Sequence, residues 1–253
     1  MSSGVRRHSE HVMGTVFSFA VHGGGRALED LLARIVVRLH RIDEVFSPYR
    51  EDSDISRFER GEIGLAACDP EVAEVLARCR EVAARTDGFF TMRPGGVLDP
   101  SGWVKGWAVE EASRELREAG YERHCVSGGG DVQTAGGPWR VGIADPLRPG
   151  EVVAVVTGRD LAVATSGVAE RGAHIIDPYR GKPAEGLASL TLVGDRLATV
   201  DAWTTAAFAM GPDRGLAWAA AQPGIEALAV LPSGATRWTP GFPAHTDAAR
   251  PVG

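Results

Sequence analysis

Residues 187–210 read LASLTLVGDRLATVDAWTTAAFAM, and they give the first indication of the fold class. Its first seven residues form a short apolar run typical of a buried strand, and residues 201–210 form an apolar helix that Gly211-Pro212 ends. Further short apolar runs lie between Gly, Pro and Asp residues, at 141–144, 152–156, 161–164 and 227–231. Because these runs follow one another with a single helix among them, the carboxyl half of the chain predicts a largely antiparallel sheet.

The amino half of the chain is mostly helical in pattern. After a strand at residues 15–21 and a glycine turn at residues 23–25, apolar residues recur at three-and-four spacing and predict a helix of about five turns. The residues of this stripe are Leu28, Leu31, Leu32, Ile35, Val36, Leu39 and Ile42. Asp69 and Pro70 begin a second helix, and Ser101 is expected to cap a third. Helices and strands are partly segregated, which favours an α+β fold, a sheet core with packed helices, over a doubly wound parallel sheet.

Charge and composition exclude several classes of partner. The 253 residues carry 27 Lys and Arg against 33 Asp and Glu, and because the basic residues are scattered, no nucleic-acid surface is expected. No apolar run reaches the roughly 20 residues of a membrane span, and the first residues lead into a polar segment rather than a signal core. The three cysteines lack CxxC spacing, and Cys79 is expected to be core packing. These features together predict a cytoplasmic protein.

Asp201 and Thr205 share one face of the predicted helix, because residues four apart lie one above the other. A carboxylate and a hydroxyl are hard oxygen ligands. With backbone carbonyls, water and substrate phosphate oxygens they would suit Mg²⁺, with Mn²⁺ as an alternative. The other interpretation is that Asp201 caps the helix and Thr205 hydrogen-bonds back within it. The two residues alone leave both interpretations open.

Two glycine-containing segments could approach a ligand closely. Residues 99–106, DPSGWVKG, place Asp99 and Lys105 at a predicted helix N-terminus, where free amide groups and the helix dipole favour phosphate. Asp99 could instead simply cap the helix. Residues 127–132, SGGGDV, form a turn between two strands, and a tight hairpin is the alternative to a ligand site. No helix follows this turn, so it is not a dinucleotide-binding GxGxxG turn.

His174 begins the segment HIIDP at residues 174–178, a strand end that runs into a turn. Scaffolds often present catalytic groups at such places. The ordinary histidine pKa, roughly 6.5, suits proton abstraction at neutral pH. A lone histidine is also often a hydrogen-bonded structural residue. The other histidines lack a comparable context, and the sequence alone leaves both interpretations of His174 open.

The order of these motifs resembles the ApbE family, the FAD:protein FMN transferases. The resemblance covers most of the chain in seven segments that follow the family's order. The segments are residues 11–15, 46–49 with 53–58, 99–110, 128–130, 164–167, 174–178 with Gly181 and Pro183, and 201–211. The resemblance implies an ApbE-like fold in a single domain, residues 1–253, with an irregular tail after about residue 240.

By this resemblance His174 is the catalytic residue, and the other site residues fall into two sets. FAD would contact Met13, Tyr49, Phe89, Phe90, Thr91, Asp99, Lys105 and Ile176. Mg²⁺ would be held by Asp201, Thr205 and the backbone carbonyl of Gly102.

The resemblance also implies a reaction. A Thr or Ser hydroxyl of an acceptor protein attacks the FMN-side phosphorus of FAD, AMP leaves, and FMN stays linked through a phosphoester. Mg²⁺ would neutralise charge on the pyrophosphate while the base removes the hydroxyl proton. Two alternatives use the same residues: an FAD pyrophosphatase, with water as the nucleophile, and a flavin-binding module that does not turn over. The combination of His174, Asp201 and Thr205 favours an enzyme over a pure binder.

The chain departs from the family's pattern in four respects. Thr91 stands where an acidic residue is usual, and Thr204 stands where some members have an acid. The connection from Met92 to Asp99 is far shorter than in typical members. Many relatives are exported lipoproteins, whereas this sequence shows neither a signal nor a lipid-attachment cysteine, which implies either an acceptor inside the cell or a changed role.

Overall fold

Eight antiparallel strands form the large sheet of the computed structural model, which describes residues 4–169, 172 and 175–246. In chain order, the described strands are β1 (Val5–Val12), β2 (Thr15–His22), β3 (His124–Gly128), β4 (Asp131–Ala135), β5 (Trp139–Ala144), β6 (Val152–Gly158), β7 (Ala162–Gly167), β8 (Ile176–Asp177), β9 (Lys182–Pro183), β10 (Ser189–Gly194), β11 (Glu226–Val230) and β12 (Thr236–Trp238). The order across the large sheet is β1-β2-β3-β4-β7-β10-β11-β12, while β5 pairs with β6 and β8 with β9. The predicted antiparallel sheet is confirmed.

Helices pack on this sheet and complete the α+β fold predicted from the sequence. The α-helices of the described residues are α1 (Arg26–Phe46), α2 (Asp54–Glu59), α3 (Pro70–Arg85), α4 (Ser101–Glu118), α5 (Leu197–Ala209) and α6 (Pro212–Ala220). The main apolar core joins Phe17 and Phe19 of β2 to Leu28 and Ile35 of α1. Among the residues that the structure describes, no helix is both long and apolar enough to cross a membrane.

The predicted apolar stripe of α1 faces this core. Six of its seven residues are buried, and Val36 is half-buried. Asp69 caps α3 as predicted, because its side chain accepts a hydrogen bond from the Glu71 amide. Cys79 of α3 is fully buried, and burial raises the pKa of its thiol to about 12. The prediction that Cys79 is core packing is therefore confirmed.

A second, smaller apolar cluster covers another part of the sheet. The β5–β6 hairpin contributes Ile143 and Val156, and these pack with Val163 of β7 and Phe242. Phe242 belongs to a 3₁₀ turn, Phe242–His245, in the tail that was predicted to be irregular. Residues 247–253 of that tail lie outside the described residues.

Helix α5 begins at Leu197, one turn before the start predicted at Asp201. The preceding residue, Arg196, makes no side-chain cap. Instead, Gln133 Oε1 accepts a hydrogen bond of 2.9 Å from the Leu197 amide, and Glu110 Oε2 accepts one of 2.9 Å from the Ala198 amide. These distant groups satisfy the free amides of the first turn. Asp201 therefore lies inside the helix, and the interpretation in which it caps the helix is wrong.

The start of α4 also differs from the prediction. Ser101 is the first helical residue rather than the cap, and Asp99 Oδ1 accepts a hydrogen bond of 2.9 Å from the Ser101 amide. Pro100 is the N-cap residue, and Asp99, one position before it, satisfies the first helical amide without being the cap itself. The Asp99 amide donates to the Met92 carbonyl oxygen over 2.8 Å, which closes the short connection before the helix.

His124 is fully buried on β3 and is hydrogen-bonded on both sides of its ring. Its Nδ1 donates to the Tyr121 carbonyl over 2.6 Å, so Nε2, 2.7 Å from Ser113 Oγ, accepts when the ring is neutral. Burial lowers the pKa of His124 below its ordinary value. Protonation is therefore easier in the unfolded chain than in the folded one.

This lowered pKa predicts a pH-dependent stability. The contribution of His124 should be complete above roughly pH 6.5 and should be lost as the pH falls below that value, by up to about 1.4 kcal/mol per pH unit. Urea unfolding at pH 7.5 and pH 5.5 measures the loss. His124→Gln keeps a donor and an acceptor but does not titrate, so its stability should change less between the two pH values. Equal pH dependence in both proteins would contradict the prediction.

Candidate functional site

Lys105 lies between two buried carboxylates at one end of the large sheet. Its Nζ donates to Asp131 Oδ2 and lies 2.9 Å from Asp201 Oδ2. Asp131 is 3% exposed and Asp201 is 6% exposed, so water screens these charges poorly. One ammonium against two carboxylates leaves one negative charge unbalanced when all three groups are ionised. The three residues therefore form a place that attracts a further cation.

The pKa shifts of this cluster follow from its burial. Burial opposes the charge of Lys105, but the two carboxylates outweigh it and the pKa of Lys105 rises above its ordinary value. Burial raises the pKa of Asp201 to about 6, against the attraction of Lys105 and with repulsion from Asp131 adding to the rise. Lys105 thus offsets only part of the cost of burying the Asp201 carboxylate, and a second cation would stabilise its charge further.

Gly106 allows α4 and α5 to approach each other closely at this cluster. A Cβ at position 106 would lie 2.7 Å from the Leu197 carbonyl oxygen and 2.8 Å from Asp201 Cβ. Farther along α4, Glu110 bonds the first turn of α5, so the two helices run antiparallel. In this direction, Gly102 precedes Gly106 by one helical turn on α4, and Thr205 follows Asp201 by one turn on α5.

Gly106→Ala is expected to destabilise the protein by about 1–3 kcal/mol, because the added methyl group forces α4 and α5 apart. A lower urea midpoint than that of the wild type would show this. Gly24→Ala is the matched control, since a Cβ at position 24 meets nothing within 4 Å. Equal midpoints for the two variants would show that the helices do not touch at Gly106.

Asp201, Thr205 and Gly102 provide the donor types that Mg²⁺ prefers. Asp201 Oδ2 is buried, and within the described residues no hydrogen-bond donor is well aligned on it. Thr205 Oγ1 donates a long bond of 3.4 Å to the Asp201 carbonyl oxygen, so the back-bonding alternative is present but weak. In the described ranges, no three or more His, Cys, Asp or Glu side chains could hold a metal together. The set fits an ion that also takes carbonyl, water and phosphate oxygens.

The glycine turn before Asp131 lies over Lys105. Gly129 and Gly130 form a two-residue hairpin turn between β3 and β4, with φ of 59° and 89°, so the tight-hairpin alternative is confirmed. A Cβ at Gly129 would lie 3.2 Å from Thr15 Oγ1 and 3.5 Å from Lys105 Cδ. This geometry brings Asp131 to Lys105. The sequence prediction missed Asp131 as a site residue, although an acid directly after the glycines was the available signal.

Met13 lies in the turn between β1 and β2 and has an unusual backbone conformation. Its φ is 54° and that of Gly14 is 69°, a turn in which Asn or Asp normally precedes the glycine. A methionine in the left-handed region is strained, and such strain is concentrated at functional sites. The following residue, Thr15, is next to the Gly129 turn. The β1–β2 turn is therefore at the same end of the sheet as Lys105.

The aromatic turn after α3 is anchored in the protein core. Phe89 and Phe90 are buried, whereas Thr91 is exposed and accepts a hydrogen bond from the Arg93 amide over 3.0 Å. A Cβ on Gly102 would lie 3.1 Å from Phe90 Cε2, so the Phe90 ring supports the first turn of α4. Phe90 therefore lies next to Gly102, one of the three metal-ligand candidates.

The remaining predicted residues are not joined to this cluster by the described contacts. Tyr49 is 88% exposed and makes no hydrogen bond, ion pair or ring contact in the described part of the chain. Ile176 is half-buried on β8, opposite Pro183. Thr204 is fully buried, and its hydroxyl donates to the Val200 carbonyl over 2.6 Å. His174, the candidate base, lies outside the described residues.

Comparisons with known proteins identify relatives of this chain. The family model described as the ApbE family matches residues 13–99 and 92–229. A protein of Rhodobacter capsulatus named FAD:protein FMN transferase is 34% identical over 198 residues, which cover 71% of this chain. A protein of Klebsiella pneumoniae with the same name is 30% identical over 176 residues, or 65% of this chain. The matches span only 37% and 55%, respectively, of those relatives' lengths.

The fold is also that of a solved structure. The crystal structure of the ApbE protein from Thermotoga maritima superimposes with a TM-score of 0.87 and 23% identity, covering 96% of this chain and all of the other. At this identity the similarity concerns the fold. It agrees with the mixed helix and antiparallel sheet architecture described above.

Proposed function

Because the chain belongs to the ApbE family, we propose that it transfers the FMN moiety of FAD to a Thr or Ser hydroxyl of an acceptor protein and releases AMP. The proposal takes residues 1–253 as a single ApbE-like domain. The observation that carries it is the buried cluster of Lys105, Asp131 and Asp201, whose unbalanced negative charge suits a metal ion beside a pyrophosphate. The names of the relatives in Rhodobacter and Klebsiella support the choice of reaction.

The FAD molecule would lie at the end of the sheet that holds Lys105. We assign Met13, Tyr49, Phe89, Phe90, Thr91, Asp99, Lys105 and Ile176 to its binding. Of these residues, Lys105 supplies a positive charge, and its two carboxylate partners keep it protonated. Tyr49 is exposed, so its ring is free to lie against an aromatic ring of the ligand. Phe90 would support the site indirectly, because its buried ring packs against Gly102.

A Mg²⁺ ion, or Mn²⁺ in its place, would be held by the Asp201 carboxylate, the Thr205 hydroxyl and the Gly102 carbonyl. When bound, the metal would offset the negative charge that develops on the pyrophosphate. Asp201 is well suited to this position because it is buried and fixed inside α5, close to α4. Thr204 beside it takes no part, since its hydroxyl is buried and bonded to the helix backbone.

His174 is proposed to remove the proton from the acceptor hydroxyl. The oxygen of that hydroxyl forms a bond to the FMN-side phosphorus as the bond between the two phosphates of FAD breaks. AMP departs with the bridging oxygen, and FMN remains on the acceptor as a phosphoester. In this reaction the protein mainly provides positioning and charge, as is usual in phosphoryl transfer.

Incubation with FAD, Mg²⁺ and a threonine-containing acceptor protein tests the proposal. Flavin fluorescence that stays with the acceptor band after denaturing electrophoresis is the expected result. Free FMN with an unlabelled acceptor would indicate an FAD pyrophosphatase instead. Bound but unchanged FAD across several acceptors would indicate a flavin-binding module.

A further inference from the structure

Tyr179, at the tip of the β8–β9 hairpin, is held in place although it is 68% exposed. Its hydroxyl donates to the Asp87 carbonyl oxygen, and its ring centroid lies 4.9 Å from that of Phe89. An exposed tyrosine gains little from burial, so these two contacts decide its position. They join the hairpin to the turn that follows α3.

Arg214 of α6 secures the other side of the same turn. Its guanidinium carbon lies 4.4 Å from the centroid of the Phe89 ring, and its Nη2 lies 3.2 Å from Asp87 Oδ2. A cation at this distance from an aromatic ring is attracted to it. Asp87, Phe89, Tyr179 and Arg214 thus form one group, which we call the aromatic clamp.

The backbone of the turn is shaped for the clamp. Asp87 has a φ of 49° and Gly88 a φ of 76°, so both lie in the left-handed region. This conformation is unusual for a non-glycine residue such as Asp87. A Cβ on Gly88 would lie 3.9 Å from the Tyr179 hydroxyl, so the turn and the hairpin tip are in close proximity. The aromatic clamp provides a reason for the strained position of Asp87.

The hairpin itself is fixed at its base and within its tip. Ile175 is buried, and its carbonyl oxygen accepts a hydrogen bond of 2.9 Å from the Ala184 amide. Asp177 Oδ1 accepts a hydrogen bond of 2.9 Å from the Tyr179 amide. Hydrogen bonds thus hold the hairpin together at its base and tip, and the contacts of the clamp fix its distance from the turn after α3.

We infer that Tyr179 is a positioning residue that, through the aromatic clamp, holds the β8–β9 hairpin against the Phe89 turn and so fixes the position of Ile176 relative to Phe89. This inference rests on the proposed function, because Ile176 on the hairpin and Phe89 on the turn are assigned to FAD there. Tyr179 itself need not touch FAD. Loss of the clamp should weaken FAD binding more than it slows the chemical step.

Steady-state kinetics and backbone hydrogen exchange test the inference. Tyr179→Phe keeps the ring and removes the donor, and it should raise KM for FAD about fivefold with kcat changed less than twofold. Tyr179→Ala should raise KM about tenfold or more. In both variants the amides of residues 175–184 should exchange faster without FAD. Arg214→Lys, which keeps the cation, should restore most of the affinity that Arg214→Ala loses.

Arg237→Ala is the matched control, because Arg237 pairs with Asp213 of α6 over 2.7 Å and is not part of the clamp. It should leave KM and hydrogen exchange unchanged. Faster exchange with an unchanged KM in the Tyr179 variants would reduce the clamp to a structural role and overturn the inference.

FAD binding is also measured directly by flavin fluorescence. Failure of the wild type to bind FAD would overturn the proposed function, whereas wild-type affinity in Tyr179→Ala would overturn only the inference. If Tyr179→Ala does not fold, Tyr179→Phe decides alone.

Discussion

Asp201→Asn should reduce the rate of flavin transfer by on the order of a thousandfold at any practical Mg²⁺ concentration, because charge stabilisation by a metal amounts to several kcal/mol. The amide keeps the shape of the carboxylate but not its charge. Lys105 then balances Asp131 alone, and the cluster no longer attracts a cation. The stability of the fold should not fall, since burial already opposes ionisation of Asp201.

Two measurements separate this explanation from simple misfolding. Calorimetric titration of Mg²⁺ into the FAD-loaded protein should show binding to the wild type and none to Asp201→Asn. Urea midpoints should be similar for both. Asp195→Asn is the matched control, because Asp195 is an exposed acid just before α5, and it should behave as the wild type. Unchanged Mg²⁺ affinity in Asp201→Asn would show that the metal is bound elsewhere.

His174→Ala should lower kcat about a hundredfold to ten-thousandfold, the range over which a positioned general base contributes. The affinity for FAD should change little, because the base acts on the acceptor hydroxyl. The pH dependence of kcat should also lose its acidic limb, since the titrating group is gone. Stopped assays at several pH values, with His245→Ala as the control variant, measure both effects. A His174→Ala enzyme with the rate and pH profile of the wild type would exclude His174 as the base.

The local patterns in the sequence predicted much of the fold. The stripe of α1 is a property of a single helix, and the Asp69 cap acts within three residues, so both could be predicted without knowledge of the tertiary structure. The short apolar runs predicted the antiparallel sheet for the same reason. The resemblance to the ApbE family, carried by the order of the motifs, was then confirmed by the family match.

The start of α5 could not be predicted, because its capping groups are far away in the sequence. Gln133 and Glu110, which cap Leu197 and Ala198, are 64 and 88 residues from them. A local sequence pattern does not show which distant side chains accept hydrogen bonds from these amides. The position of the helix start affects the candidate site. A helix that began at Asp201 would place this carboxylate at its N-cap, whereas the observed start places it inside the helix.

The composition of the site was predicted only in part for a related reason. Lys105 and Asp201 were identified from their motifs, but the contact of Lys105 with Asp131 depends on the Gly129 turn folding over α4. The aromatic clamp likewise joins three distant segments, because both Tyr179 and Arg214 contact the Phe89 turn. Contacts of this kind arise from the packing of elements, and a single sequence does not contain them.

Intact mass spectrometry of an acceptor protein, after incubation with the enzyme, FAD and Mg²⁺, measures flavin transfer itself. We expect a gain equal to the mass of one FMN less one water, located on a single Thr or Ser. One AMP should be released for each acceptor modified, and an acceptor whose Thr or Ser is replaced by Ala should gain nothing. Release of AMP from FAD with no change in the mass of any acceptor would show that FMN is not transferred to protein.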